Sequence, residues 1–329
     1  MINQIANKRM PTNRSVSVNK PKNIVFNNNG KNNPRPDSRF ITKLNGKFHT
    51  INLPEVGSFN GGIARYDKDK IICVYRRNEQ SFSGCHLNNQ YEMIDGSHFE
   101  FSMYRCTDPK LIWRDKELLI IYSSIHNVHD SQEYMCGSVA LSYETGGRFS
   151  NNEEFRISTP DLHGRQKNWM PFNHDGNIYL IASVCPHIVY QLVDNNKCIK
   201  VYENDWSHPW MIGTQLRGNT NAVRIDDTSY LATFHTAMWH NNKYYYDNGF
   251  YLFSSAPPFK VMRCASRTYL PAEAACSNYF RKHNQIVCNF PVGMMVENDN
   301  VIISYGDNDS NLKIVEYKLS DVLRTMVKV

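Results

Sequence analysis

One pattern recurs five times along this chain of 329 residues: a short apolar strand, a polar turn, and a second strand of four or five apolar residues that closes on a polar one. The copies are Gly62–Arg76, Asp108–Ser123, Trp169–Ser183, Asn221–His235 and Phe290–Tyr305. Each reads as an antiparallel hairpin with Asp, Asn, Lys or Gly in its turn. Their starting residues lie 46, 61, 52 and 69 positions apart, which leaves room for two more strands and a loop in every interval. A two-stranded unit cannot bury both of its faces, whereas four-stranded sheets set radially around an axis can. The repeat therefore predicts an all-β, five-bladed β-propeller. Gly249–Ser254 and Leu312–Tyr317 are candidates for outer strands, and helical periodicity is confined to the stretch beginning at Ser320. A β-sandwich or a two-domain all-β protein would also show short strands separated by turn signals.

The formal charge of +6 raises the question of a polyanionic partner, and its distribution argues against one. Residues 1–36 hold seven Lys and Arg and no acid, leaving the remainder of the chain near −1. No specific nucleic-acid partner is expected on that balance. Residues 1–37, rich in Asn and poor in apolar side chains, read as a disordered basic arm, and residues 38–329 as one propeller domain. Nine cysteines without a CxxC pair suit neither a zinc ribbon nor a disulfide framework. With no apolar signal segment and no run approaching 18 apolar residues, no membrane span is expected and a cytoplasmic location is the simplest reading. His126, His129 and Asp130 have a loosely metal-like spacing, but such a spacing in a loop is usually incidental, so no metal is expected.

In a propeller the first strands of all blades line a common axis, so polar residues at their ends converge. Asn60 precedes the first copy and Arg76 closes it; Asp108 opens the second; Lys167 and Asn168 precede the third. Arg217, Asn219 and Asn221 stand at the start of the fourth, His235 closes it, and Asp307 and Asp309 follow the fifth. Each also has a plain structural reading. Asp108 before Pro109 suits a turn, Arg76 a strand end, Lys167 a solvated loop, His187 and His235 strand histidines, the Tyr244–Tyr246 run blade packing, and Asp307 and Asp309 hairpin-turn acids. The shared position within the repeat is what points to a site. No Walker loop, GxGxxG, GxSxG or HExxH competes with it.

Seven elements in this order, around Asn60, Val74-Tyr75-Arg76, Asp108-Pro109, Lys167-Asn168-Trp169, Phe234-His235-Thr236, Phe290–Gly293 and Tyr305–Asp309, resemble glycoside hydrolase family 130 from about residue 55 to residue 325. That family comprises mannoside phosphorylases and some mannosidases, and β-1,2-mannosyltransferases related to it share its five-bladed fold. The resemblance implies Asp108 as general acid and Asn60, Arg76, Asn168 and Asp309 as mannose-binding residues. It implies Lys167, His187, Arg217, His235 and Tyr246 as phosphate-binding residues. The expected reaction is inverting phosphorolysis of a β-mannoside, with inorganic phosphate as co-substrate, no cofactor, and a mannose-containing oligosaccharide or mannose 1-phosphate as partner. One acid is enough for it, because phosphate is already a nucleophilic anion. The alternatives are a mannosidase, a nucleotide-sugar-dependent mannosyltransferase and a non-catalytic propeller that binds glycan or protein. This chain departs from the family pattern where Thr107-Asp108-Pro109-Lys110 replaces Glu-Asp-Pro-Arg, and where Lys167 and His187 replace arginines that bind phosphate in bidentate fashion.

Overall fold

Every one of the five repeats forms the first two strands of its own sheet. The computed structural model describes residues 41–42, 44–55, 57–77, 81–101, 106–124, 134–142, 149–159, 166–194, 196–209, 216–240, 243–268 and 286–329. The proposed N-terminal arm and the His126–Asp130 cluster lie outside the described residues. Blade one consists of Ser58–Arg65, Ile71–Arg77, Ser81–Leu87 and Phe99–Glu100, and blade two of Cys106–Arg114, Glu117–Ser124, Tyr134–Ser142 and Phe149–Arg156. Blade three consists of Met170–His174, Asn177–Ser183, His187–Asp194 and Lys197–Asn204. In blade four the inner strand is split into Arg217–Gly218 and Val223–Arg224, both paired with Ser229–His240, and Lys243–Ser254 and Val261–Thr268 follow outward. Blade five consists of Asn289–Glu297, Asn300–Asp307 and Asn311–Lys318, and its outermost strand is Lys47–Thr50 from the other end of the chain. That strand ties the two ends of the domain into one sheet. The stretch from Ser320 does turn helical, as Leu319–Arg324.

The long apolar runs of the second strands follow from burial on both faces. Alternate side chains of a strand point to opposite faces, and here each face meets a different neighbouring blade. Ile72 and Val74 pack with Leu118, Ile120 and Tyr122 of blade two, while Ile71, Cys73 and Tyr75 pack with Ile302, Leu312 and Ile314 of blade five. Leu119 and Ile121 turn the other way, onto Ile178 and Leu180 of blade three. Two further cores join blade three to four around Phe172, Phe234 and Phe253, and blade four to five around Leu252, Ile303 and Val315. Five inter-blade cores thus close the ring, which is why hydrophobicity in these strands is continuous rather than alternating.

At two places near the axis neighbouring blades come too close for a side chain. A Cβ on Gly62 would stand 2.3 Å from the carbonyl oxygen of Pro109 in the next blade, and one on Gly306 would stand 1.8 Å from Asn60 Oδ1. Glycine is needed at both places for clearance. Gly306→Ala is expected to lower stability by about 1–3 kcal/mol, read as a fall in the urea midpoint, because the Asn60 amide must move to admit the methyl group. Among the described residues no helix is long and apolar enough to cross a membrane.

Candidate functional site

The polar residues that open the inner strands share a backbone device. Asn60, Asp108, Asn168 and Asp309 all have positive φ, at 47°, 58°, 61° and 50°. Asn and Asp are the side-chain-bearing residues that tolerate this left-handed region most readily. In blades one and two the residue sits in a bulge: the ladder slips between Phe59 and Gly62 and again between Thr107 and Lys110. A bulge re-aims the side chain that it carries. The left-handed residue recurs at Asn168, just ahead of the inner strand of blade three, so Asn60, Asp108 and Asn168 come to one end of the axis, and the turn after blade five adds Asp309.

Asp108 is the hub. Its Oδ1 accepts a hydrogen bond of 2.9 Å from Asn60 Nδ2, its Oδ2 lies 3.8 Å from Lys167 Nζ, and its backbone carbonyl accepts a 3.2 Å bond from Lys110 Nζ. Burial pushes the carboxyl pKa up, but Lys167, Lys110, Arg76 and the Asn60 bond outweigh it and hold Asp108 below the ordinary carboxylate range. Asp309 goes the other way. Burial, followed by the neighbouring Asp108 charge, raises it to about 6 against the opposing pull of Arg76, Lys167 and Asn60. Two carboxyl groups in one site are therefore driven apart in proton affinity, which is how acid and base roles are separated at a single pH. Asp307 takes no part, because it is buried in an ion pair of 2.9 Å with Lys313 that anchors the turn carrying Asp309.

The cationic side of the site comes from blades three and four. Arg217 and His235 are direct cross-strand partners, and the Tyr246 ring stacks on His235 with centroids 5.7 Å apart. His235 feels the charges of Arg217, Lys167, Asp108 and Lys110, and burial together with these cations lowers its pKa to about 3. Burial, then Cys288, Asp309 and Asp108, raises the Tyr246 phenol. Arg76 lies over the Phe59 ring at 4.9 Å, within reach of both carboxylates.

His187 corrects the expectation drawn from the resemblance. It opens the third strand of its blade, two strands out from the axis, and its ring faces the wall between blades three and four, 5.2 Å from Phe253 and 5.8 Å from Tyr251. Fully buried there, with its pKa lowered to about 4 by desolvation, it stands with the aromatic packing rather than with the cations. Lys110 is the converse case. Sequence reasoning noted it only as a departure from Arg, yet it is buried beside Asp108, and burial, moderated by Asp108, brings its pKa down to about 8. The signal that could have found it is spacing: two residues beyond an axial bulge, the chain faces the axis again.

Comparison with known proteins gives the family. The sequence profile of glycoside hydrolase family 130, described as β-1,4-mannooligosaccharide phosphorylase, matches residues 41–328. The chain belongs to glycoside hydrolase family 130. Family 130 members are mannoside phosphorylases or glycoside hydrolases, so this chain is an enzyme of the mannoside-cleaving type. No curated protein matches the sequence. Among solved structures of the fold, the β-1,2-mannobiose phosphorylase of Listeria innocua in complex with β-1,2-mannobiose is 13% identical, with a TM-score of 0.58 over 84% of this chain and 92% of that one. A mannose phosphorylase of Leishmania mexicana in complex with phosphate ion is 11% identical, with a TM-score of 0.53 over 87% and 90%. A putative glycoside hydrolase of Bacteroides ovatus is 12% identical, with a TM-score of 0.57 over 82% and 89%. At these identities the likeness of this family 130 chain to the solved structures establishes its fold.

Proposed function

We propose that this family 130 enzyme is an inverting β-mannoside phosphorylase, with Asp108 as general acid. The observation that carries the reading is the division of the site around Asp108. One of its carboxylate oxygens meets Asn60, and the other meets Lys167, whose charge also acts on His235 beside Arg217. The cationic side suits an anionic nucleophile held by charge-assisted hydrogen bonds from Lys167 and Arg217, with Tyr246 adding a phenolic hydroxyl. The other side, with Asn60, Arg76, Asn168 and Asp309, offers donors and acceptors for a mannose ring. A hydrolase needs a carboxylate that is free to deprotonate water. Asp309, raised to about 6 and with Oδ1 buried without a partner, is the carboxylate that would serve there, so the phosphate-free control below separates the two reactions.

The proton balance is simple. Hydrogen phosphate forms a bond to the anomeric carbon as the glycosidic C–O bond breaks, the leaving oxygen takes a proton from Asp108, and the phosphate proton restores Asp108 over the cycle. Products are mannose 1-phosphate and a free hydroxyl. In the empty site the cations hold Asp108 ionised. An arriving phosphate draws Lys167 away and adds negative charge, both of which raise the proton affinity of Asp108 just when an acid is needed.

The test is to incubate the protein with β-linked mannobioses with and without phosphate. Mannose 1-phosphate is expected only when phosphate is present, together with phosphate release from mannose 1-phosphate when mannose is supplied as acceptor. Free mannose in phosphate-free buffer would instead assign a mannosidase, and transfer confined to GDP-mannose a nucleotide-sugar mannosyltransferase.

A further inference from the structure

His235 is held by a chain of amides whose direction is set at both ends. At one end, Asn248 Nδ2 lies 2.8 Å from the backbone carbonyl of Asn289, an obligatory acceptor, so this atom of Asn248 must be the amide nitrogen. Its Oδ1 therefore faces Asn219 and accepts a 2.9 Å bond from Asn219 Nδ2. That orientation turns Asn219 Oδ1 toward His235 Nδ1, at 2.5 Å, and the Gly218 carbonyl lies 3.1 Å from the same nitrogen. Both neighbours of Nδ1 are acceptors, so Nδ1 must carry the hydrogen. The two-amide relay runs from blade five through blade four and leaves no choice of tautomer.

Nε2 is then the ring nitrogen with the lone pair. The groups around the ring set what it faces. Arg217 comes from the inner strand of its own blade, Tyr246 stacks from the next strand out, and Lys167, Asp108 and Lys110 act on it from blades three and two. Phe290 of blade five closes the remaining side, edge-on at 5.0 Å. Burial and three cations keep the imidazole neutral. A site framed by Lys167 and Arg217 thus holds one group that repels a bare anionic oxygen and welcomes a hydroxyl.

We propose that His235 is the specificity determinant of the anion site: locked by Asn219 and Asn248, its Nε2 accepts a hydrogen bond from a protonated oxyanion and so selects hydrogen phosphate over sulfate. The inference rests on the phosphate reading above and deepens it. At pH 8 hydrogen phosphate and sulfate are tetrahedral dianions of similar size, so the cations attract them alike. They differ in one proton. An acceptor without a donor to meet is a buried polar group left unpaired, and sites built to receive a hydrogen reject analogues that lack it. A hydrogen bond with one charged partner corresponds to about tenfold to a hundredfold in affinity.

Two measurements test this. In the ligand-free protein labelled with 15N-histidine, the resonance that disappears in His235→Asn is expected to show a protonated Nδ1 and an unprotonated Nε2 at pH 7. In titration calorimetry at pH 8, the wild type is expected to bind phosphate about tenfold to a hundredfold more tightly than sulfate. His235→Asn, whose amide keeps a donor near the Gly218 carbonyl and deletes Nε2, is expected to lose that preference by weakening phosphate alone. A protonated Nε2 in the resting protein, equal binding of the two anions by the wild type, or selectivity that survives in the variant overturns the proposal. The wild-type comparison of phosphate with sulfate decides it even if the variant does not fold. Selective anion binding without phosphorolysis would remove the proposed reaction and leave this inference standing, whereas absence of any anion binding removes both.

Discussion

Asp108→Asn is expected to lower kcat for a β-mannobiose by about 10²–10⁴, the range over which general acids contribute, while phosphate binding is retained. Asn keeps the shape of the side chain and can still meet the Asn60 amide, but it has no proton to give to a departing alkoxide. Leaving-group dependence separates this role from a structural one. A mannoside with a nitrophenolate leaving group, which departs without protonation, should lose far less activity in the variant than the disaccharide does. Equal losses on the two substrates would mean that Asp108 positions the sugar, and Asp309 would then become the acid to examine. Loss of the Asp108 charge also removes the carboxylate 3.8 Å from Lys167 Nζ, so phosphate affinity should rise rather than fall.

Asp309→Asn is expected to stabilise the fold at pH 8 while weakening the mannoside site. The folded-state pKa of Asp309 is raised from 3.8 to about 6, mainly by burial. A group raised in this way contributes its favourable part below about pH 4, where it is protonated in folded and unfolded chains alike, and loses it as the pH climbs through about 6. Above that point the folded protein holds a buried carboxylate at a cost of about 3 kcal/mol, which the neutral amide avoids. Denaturation midpoints measured at pH 4 and pH 8 should therefore show no gain at the acid end and the full gain at the alkaline end. The same substitution should raise KM for the mannoside, since a charged acceptor for sugar hydroxyls is gone. A stability gain that does not depend on pH would mean that Asp309 is ordinarily ionised in the fold and that its burial is not what sets its proton affinity.

Much of the architecture was legible because its cause is local. The run Leu118–Tyr122 is apolar at every position, and such a strand must be covered on both faces, which a radial arrangement of sheets provides. Five such runs at intervals of about fifty residues left room for complete blades. The candidate site was legible for a related reason: Asn60, Asp108 and Asn168 stand at the start of the inner strand in three copies of the repeat, and Asn or Asp is what a left-handed residue asks for. The closure of blade five by Lys47–Thr50 was not legible, since no property of that short segment names its partner.

Histidines show where the boundary falls. His187 and His235 are both strand histidines in polar-ended apolar runs, and family resemblance gave them the same role. Strand order within the blade separates them: His235 pairs with Arg217 of the inner strand, whereas His187 begins a strand one place farther out and turns into an aromatic wall. Lys110 was hidden for the same reason, as its burial depends on the neighbouring blades and not on its own segment.

The amino-acid sequence by itself determined that the chain makes five two-faced sheets and which strand ends carry polar groups, because periodicity and turn chemistry are written within short stretches. Only the tertiary structure decided which of those groups come together, which carboxyl group binds its proton more tightly and which nitrogen of His235 has acceptors on both sides. Each of these depends on burial and on charges or dipoles brought in from other blades, and such fields are sums over the folded molecule that no single stretch of chain contains.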